Sequence, residues 1–165
     1  MTSSINELCY VIAGGTPRTS VEAYWNGIIP WLSIKDFISS NRFVNYAEKS
    51  ITSLGLENSS TNLLKPYDII ISARGTVGNV ALVTRPMAFN QSCFGLRSKD
   101  KAVLMQEYLF YWLKANKQQI QTGSHGAVFN TITRNDFNRL KIDVPKIDAQ
   151  RHIVDTISSL LLKSL

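Results

Sequence analysis

The stretch from Tyr67 to Leu96, YDIIISARGTVGNVALVTRPMAFNQSCFGL, constrains the fold more than any other part of the chain. Asp68 to Ser72 holds a β-branched run, Asn79 to Thr84 a second apolar run, and Asn90 to Leu96 a third. Arg74-Gly75-Thr76-Val77-Gly78 supplies turn chemistry between the first two, so the stretch reads as strand, tight turn, strand, turn, strand. From Ile69 through Lys99 there is no Asp or Glu, whereas Arg74, Arg85, Arg97 and Lys99 all lie within it. A buried sheet whose turns and edges carry only positive charge suits a polyanion better than a small neutral ligand.

The chain has 165 residues, enough for one domain with a real hydrophobic core. With 44% hydrophobic and 18% charged residues it sits in the globular range, which argues against wholesale disorder. The net charge of +6 favours nucleic acid or an anionic membrane among possible partners. No apolar run approaches the roughly 18–20 residues needed to span a bilayer. The N-terminal MTSSINELCYVIAGG has no basic start and carries Glu7 beside its apolar part, so no signal peptide is expected. Cys9 and Cys93 are far apart and lack metal-ligand spacing. Buried free thiols in a reducing cytoplasm are the expectation.

Taken in order, Ser4 to Ile12 is expected to form a short helix capped by Ser3 or Ser4 and stopped by Gly14 and Gly15. Arg18, Tyr24 and Trp25 follow on a loop, either as a clamp for a backbone or as packing beneath the loop. Ile28 to Ile34 is a strand whose Pro30 suggests an edge position or a first residue. Phe37 to Lys49 is a polar, basic loop. Ile51 to Leu64 is expected to make one or two helical turns broken at Gly55. Lys101 to Thr122 reads as one helix with Leu104, Tyr108, Tyr111, Trp112 and Ile120 broadly on one face, its aromatic stripe serving as packing. No acid occurs from Tyr108 to Asn135, a second basic tract. Thr133 to Asp136 resembles a capping box that starts a short helix to Leu140, and Lys141 to Val144 is a strand ended by Pro145. Asp148 is then expected to cap a last helix with a broad apolar stripe (Ile153, Ile157, Leu160, Leu161, Leu165), suited to packing on a partner helix.

Catalytic signatures are missing. No lysine has an Asp or Glu two positions upstream, as a common metal-dependent nuclease motif requires, and no Pro-Pro pair exists for a base-flipping amino-methyltransferase loop. There is no Walker loop, no dinucleotide fingerprint and no recognisable Cys–His pair. His125 has no acid nearby, and His152 does not stand at metal spacing from it. No catalytic role, cofactor or metal is expected.

Several stretches together resemble the target recognition domains of specificity subunits from type I restriction-modification systems. They are Gly14-Gly15-Thr16-Pro17, Tyr24-Trp25-Asn26-Gly27, Ile29 to Asp36, Ile51-Thr52 with Gly55-Leu56, and Leu64-Lys65-Pro66. Ser72 to Gly78, Asn90-Gln91, Tyr108-Leu109, Ile142-Asp143-Val144-Pro145 and Gln150 with Ile153 continue the series. Single pieces are weak, but the ordered set is specific.

The resemblance implies an α+β domain with a curved, mainly antiparallel sheet, short flanking helices and a C-terminal association helix. It further implies a DNA target recognition domain at 1–146 and, at 147–165, the start of a dimerisation or spacer helix. Such a domain does no chemistry. It reads one half of a split site on double-stranded DNA for a methyltransferase subunit and, in the full complex, a restriction subunit, and it self-associates through the helix. Base-reading candidates are Arg42, Asn90, Gln91, Ser124 and His125, and phosphate-binding candidates are Lys35, Lys49, Arg74 and Arg85. Each has a plainer alternative: Arg74 clamping its turn, Asn90 and Gln91 satisfying backbone groups, Lys49 merely solvated. Gly15, Pro17, Trp31, Gly75 and Gly78 are better explained by turn geometry and packing. A reading from another class is a protein-interaction adaptor that binds through the terminal helix and touches no nucleic acid.

Overall fold

The computed structural model of the chain describes residues 2–122 and 131–164. In chain order its elements are β1 (Thr2–Ser4), α1 (Ile5–Leu8), β2 (Cys9–Ala13), β3 (Trp25–Leu32), β4 (Phe43–Val44), β5 (Lys49–Ile51) and α2 (Ser53–Glu57). Then come β6 (Ile69–Ser72), β7 (Val80–Val83), β8 (Ala88–Phe89), β9 (Cys93–Ser98), α3 (Gln106–Ala115), α4 (Lys117–Thr122), β10 (Lys141–Asp143) and α5 (Ile147–Lys163). This is an α+β fold with mainly antiparallel pairing, as expected, but its strands are divided among three sheets.

The largest sheet has the order β2-β9-β6-β7-β4, antiparallel except where β4 joins β7. Its middle strand β6 is buried along its whole length. Alternation along a strand sends neighbouring side chains to opposite faces. Ile69 and Ile71, with Val80 and Leu82 of β7, therefore enter one core, closed by Leu109, Phe110 and Leu113 of α3. Ile70, Ala81 and Val83 enter a second core with Leu32, Phe37, Leu64 and Phe89. Burial on both faces explains why these runs are apolar throughout and not alternating.

Two corrections concern the ends of helices. Ser4 does cap α1, its Oγ accepting from the Glu7 N–H at 3.1 Å. The helix stops at Leu8, however, because Cys9 to Ala13 pair with β9 in register with Ser98 to Phe94. Gain from β pairing of Val11 and Ile12 overrides the local helix signal. At the other end, α5 starts at Ile147 without a side-chain cap, and Asp148 sits in the first turn bonded to Arg151 at 3.2 Å.

Gly55 does not break α2 but lies inside it, where a Cβ would stand 2.5 Å from the Tyr24 carbonyl oxygen. Pro30 falls within β3, the middle strand of the β5-β3-β8 sheet. Pairing with β8 begins only at Trp31, so the missing N–H takes no bond from that ladder.

The expected single helix from Lys101 to Thr122 is two. Asn116 separates them, donating from its own N–H (3.0 Å) and its Nδ2 (2.8 Å) to the Trp112 carbonyl. The Thr133–Asp136 capping box is present, starting a 3-10 turn over Arg134–Asn138.

Two buried glutamines fasten the helices, Gln106 to the sheet and Gln150 to the start of α3. Gln106 Oε1 accepts from the Ser98 N–H at 2.6 Å while Nε2 donates to the Tyr67 and Leu96 carbonyls. Gln150 Oε1 accepts from the Met105 N–H at 2.9 Å, and its Nε2 donates to the carbonyls of Val103 at 2.7 Å and Pro145 at 2.9 Å. Fully buried and fully satisfied, Gln150 seats the first turns of α5 against the start of α3. Gln150→Ala strands three backbone groups and is expected to cost roughly 2 kcal/mol or more. Urea denaturation measures this; an unshifted midpoint would contradict the assignment.

Candidate nucleic-acid interface

Lys35, Lys49 and Asn90, three of the residues singled out in the sequence, line one cleft with Trp31 and Ser33. Trp31 is buried at its back, its Nε1 donating to the Gly15 carbonyl at 2.9 Å and its ring meeting Trp25 edge-on at 5.3 Å. The Gly14–Pro17 loop is clamped onto the β8–β9 connection: the Gly15 N–H donates to the Phe89 carbonyl, and Thr16 donates its hydroxyl to Gln91 Oε1. A Cβ on Gly15 would lie 2.1 Å from Ser60 Oγ, so the residue is required by close approach.

The cleft is not purely cationic. Asp36 and Glu48 line it too, and Lys35 Nζ meets Glu48 Oε2 at 2.8 Å. That hydrogen bond holds the Lys35 ammonium above the usual lysine range and the Glu48 carboxyl below the usual carboxylate range. Both groups are well exposed, so the pair can open to solvent or to another anion at little cost. Lys49 is exposed on β5. Asn90 Oδ1 accepts from the Ser92 N–H at 3.0 Å, the local backbone role that was its plainer alternative.

The remaining cationic candidates are dispersed. Arg74 stands exposed in the turn between β6 and β7, where Gly75 and Gly78 adopt φ of +71° and +91°. These left-handed conformations favour glycine. Ser72 ties the turn, its hydroxyl donating to the Thr76 carbonyl at 2.5 Å and accepting from the Asn79 N–H at 3.0 Å. Arg85 is exposed, with Nε donating to the Asn45 carbonyl at 3.0 Å. Arg42 is half-buried and engaged: its guanidinium lies over the Phe43 ring at 4.7 Å and the Tyr111 ring at 5.9 Å, and Nη2 donates to Ser158 Oγ at 3.3 Å. Ser124 and His125 lie outside the described residues.

One element of the cationic tract is neutralised. Arg97 forms a two-pronged bond to buried Asp68, Nε to Oδ1 at 2.8 Å and Nη2 to Oδ2 at 2.5 Å. The acid stands one residue before the acid-free run and 29 residues from Arg97, so only the pairing of β6 with β9 brings the two together. Lys114 and Lys117, which fall in the second acid-free tract, were not among the sequence candidates. Both contact the β6–β7 side of the fold, Lys117 Nζ donating to Asn79 Oδ1 at 2.8 Å. Their only sequence signal was the second acid-free tract.

Cys9 and Cys93 are buried free thiols, and burial pushes each up to about 12. Among the described residues, no group of three or more His, Cys, Asp or Glu could hold a metal ion, and no helix is long and apolar enough to cross a membrane.

Comparison with known proteins bears on this geometry. A family model described as the type I restriction modification DNA specificity domain matches residues 1–164. The MjaIX type I restriction enzyme specificity subunit of Methanocaldococcus jannaschii is 27% identical over 157 residues, covering 93% of this chain and 36% of that subunit. The solved HsdS subunit from Thermoanaerobacter tengcongensis superposes with a TM-score of 0.73 at 20% identity, covering 99% of this chain and 37% of that one. A chain solved for the structural basis of complex assembly and conformational transition of the type I R-M system gives 0.79 at 20% identity, covering 99% and 38%. The chain thus spans under two-fifths of the length of these relatives.

The cleft separates framework from surface, and two substitutions test the distinction. Trp31→Ala removes a buried ring and is expected to cost about 3–5 kcal/mol, whereas Lys49→Gln stays within about 0.5 kcal/mol of the parent. Paired urea titrations decide; equal midpoints for the two variants would contradict the division.

Proposed function

This chain belongs to the type I restriction modification DNA specificity domain family, and on that premise we propose that it recognises a DNA sequence for a restriction-modification complex. Residues 1–146 act as the target recognition domain and 147–165 as the start of an association helix. The observation that carries this reading is the family match along residues 1–164.

Charge and exposure support it. Lys49, Arg74 and Arg85 are exposed, and among the described residues none is bonded to a carboxylate. Together with Lys35 they hold the domain on phosphates, in a binding mode that weakens steeply with salt. Gln91, on the clamped β8–β9 connection, and the candidates Asn90, Ser124 and His125 read base edges by hydrogen bonding. Arg42 belongs to this group only if its guanidinium leaves the Tyr111 and Ser158 contacts, so we assign it to joining α5 to the domain. The chain performs no reaction and requires no cofactor. It directs a methyltransferase subunit and, in the full complex, a restriction subunit to one half of a split site in cytoplasmic DNA.

The last part of α5 supports a docking role. Leu160 and Leu162 are 60% and 70% exposed, with Leu161 and Ile153 partly so, although the helix root is fixed by Gln150 and Val154. Exposed leucines on one helix suit a second helix, from a further copy or a partner subunit. Two copies related by a two-fold axis would read a palindromic split site.

Fluorescence anisotropy on random-sequence duplex at 50 and 200 mM salt tests the reading. The expected result is binding that falls by about tenfold or more between them, as release of several counterions requires. Glu48→Gln, by freeing Lys35, is expected to tighten binding at the lower salt. Absent or salt-independent binding would favour the adaptor that contacts only protein.

A further inference from the structure

Three stretches of the chain without any Asp or Glu, 37–47, 69–99 and 108–135, meet at one pocket. Phe37 and Ser40 come from the first, Gly78 and Asn79 from the second, and Lys114 and Lys117 from the third. The cleft at Lys35 contains its own carboxylates, but none of the residues lining this pocket is acidic.

The two ammonium groups are only partly satisfied. Lys114 Nζ donates to the Asn41 carbonyl at 2.6 Å and Lys117 Nζ to Asn79 Oδ1 at 2.8 Å. An ammonium has three donors, so among the described residues each keeps two for another acceptor. Asn79 Nδ2 is buried with no acceptor, an unmet donor in the same wall. Burial and the neighbouring Lys117 charge hold Lys114 below the usual lysine range. Two like charges beside one partly desolvated cavity disfavour each other, and a bound anion relieves both the repulsion and the unmet hydrogen bonding.

The backbone holds the arrangement. Gly78, at φ +91°, passes under the Lys117 side chain, where a Cβ would come 3.3 Å from Lys117 Cγ. Gln121 Nε2 donates to the Val77 carbonyl at 3.0 Å, fixing α4 to the same turn. The lysines are thus carried by helices docked on the sheet, and not by a free loop.

We propose that this pocket seats a phosphate oxyanion between Lys114 and Lys117, and that the phosphate belongs to the backbone of duplex DNA. The identity of its source rests on the DNA-recognition reading above; the oxyanion chemistry does not. The seat adds an anchor in addition to Lys35, Lys49, Arg74 and Arg85.

Two measurements on the full chain test it. The first titrates inorganic phosphate into the unaltered protein at constant ionic strength and follows backbone amide resonances. Saturable shifts centred on Gly78, Asn79 and Lys117 are expected; their absence overturns the seat. The second compares duplex affinity and its salt slope for Lys114→Gln/Lys117→Gln and for the charge-retaining Lys114→Arg/Lys117→Arg, with melting temperatures as the check on folding. The glutamine pair is expected to lower the slope by about one unit, while the arginine pair keeps it. If the parent binds duplex with steep salt dependence and the folded glutamine pair matches it, the backbone-phosphate assignment is overturned while DNA recognition stands. If phosphate shifts the amides but the parent binds no duplex, DNA recognition fails and the seat serves a free phosphate compound.

Discussion

Ile69, Ile70 and Ile71 are the seam on which both halves of the molecule close. Two of them project into the core beneath α3 and one into the core beneath β3, and all are fully buried. Because β6 lies between β7 and β9, its backbone bonds are also taken on both sides. A polar residue at any of these positions would have neither water nor a partner. The same strand leads directly into the turn bearing Arg74, Gly75 and Gly78, so the placement of that turn is inherited from the core. Asp68 anchors the start of the strand, taking Arg97 across the sheet and the Lys65 N–H at 2.7 Å.

Much of this is legible in the amino-acid sequence. The three apolar runs between Tyr67 and Leu96 are strands, the glycines of the intervening turn do have positive φ, and the Thr133–Asp136 box starts its turn. What was not legible depends on contacts made far along the chain. Ser4 and Glu7 carry a valid helix start, yet the strand pairing of Cys9 to Ala13 with β9 decides where the helix ends. Gly55 looks like a breaker in one dimension and is a contact point for Tyr24 in three. Gln106 and Gln150 look like ordinary polar helix residues, and only the fold reveals them as buried fasteners.

The candidate interface divides in the same way. Composition shows an excess of cations and two long tracts free of acids, and these tracts do carry exposed lysines and arginines. It cannot show which cations are already spent. Arg97 is taken by buried Asp68, and Arg42 stacks on aromatic rings and reaches α5, whereas Lys35 is only loosely paired with exposed Glu48. Lys114 and Lys117 gain importance because helix docking brings them to the wall of a pocket built from two other acid-free segments. Electrostatic character here comes from which segments the sheet brings together, more than from the net charge.

The central claim is that a rigid core presents cations and hydrogen-bonding loops to a duplex while α5 joins the chain to its machinery. Selection of binding sites from a random DNA pool, with the chain and a methyltransferase subunit of its system together, tests this most directly. The account predicts a split consensus in which one element changes when the loops around Asn90 and Gln91 are exchanged for those of a relative. Recovery of a pool no richer in any sequence than the starting one would contradict it.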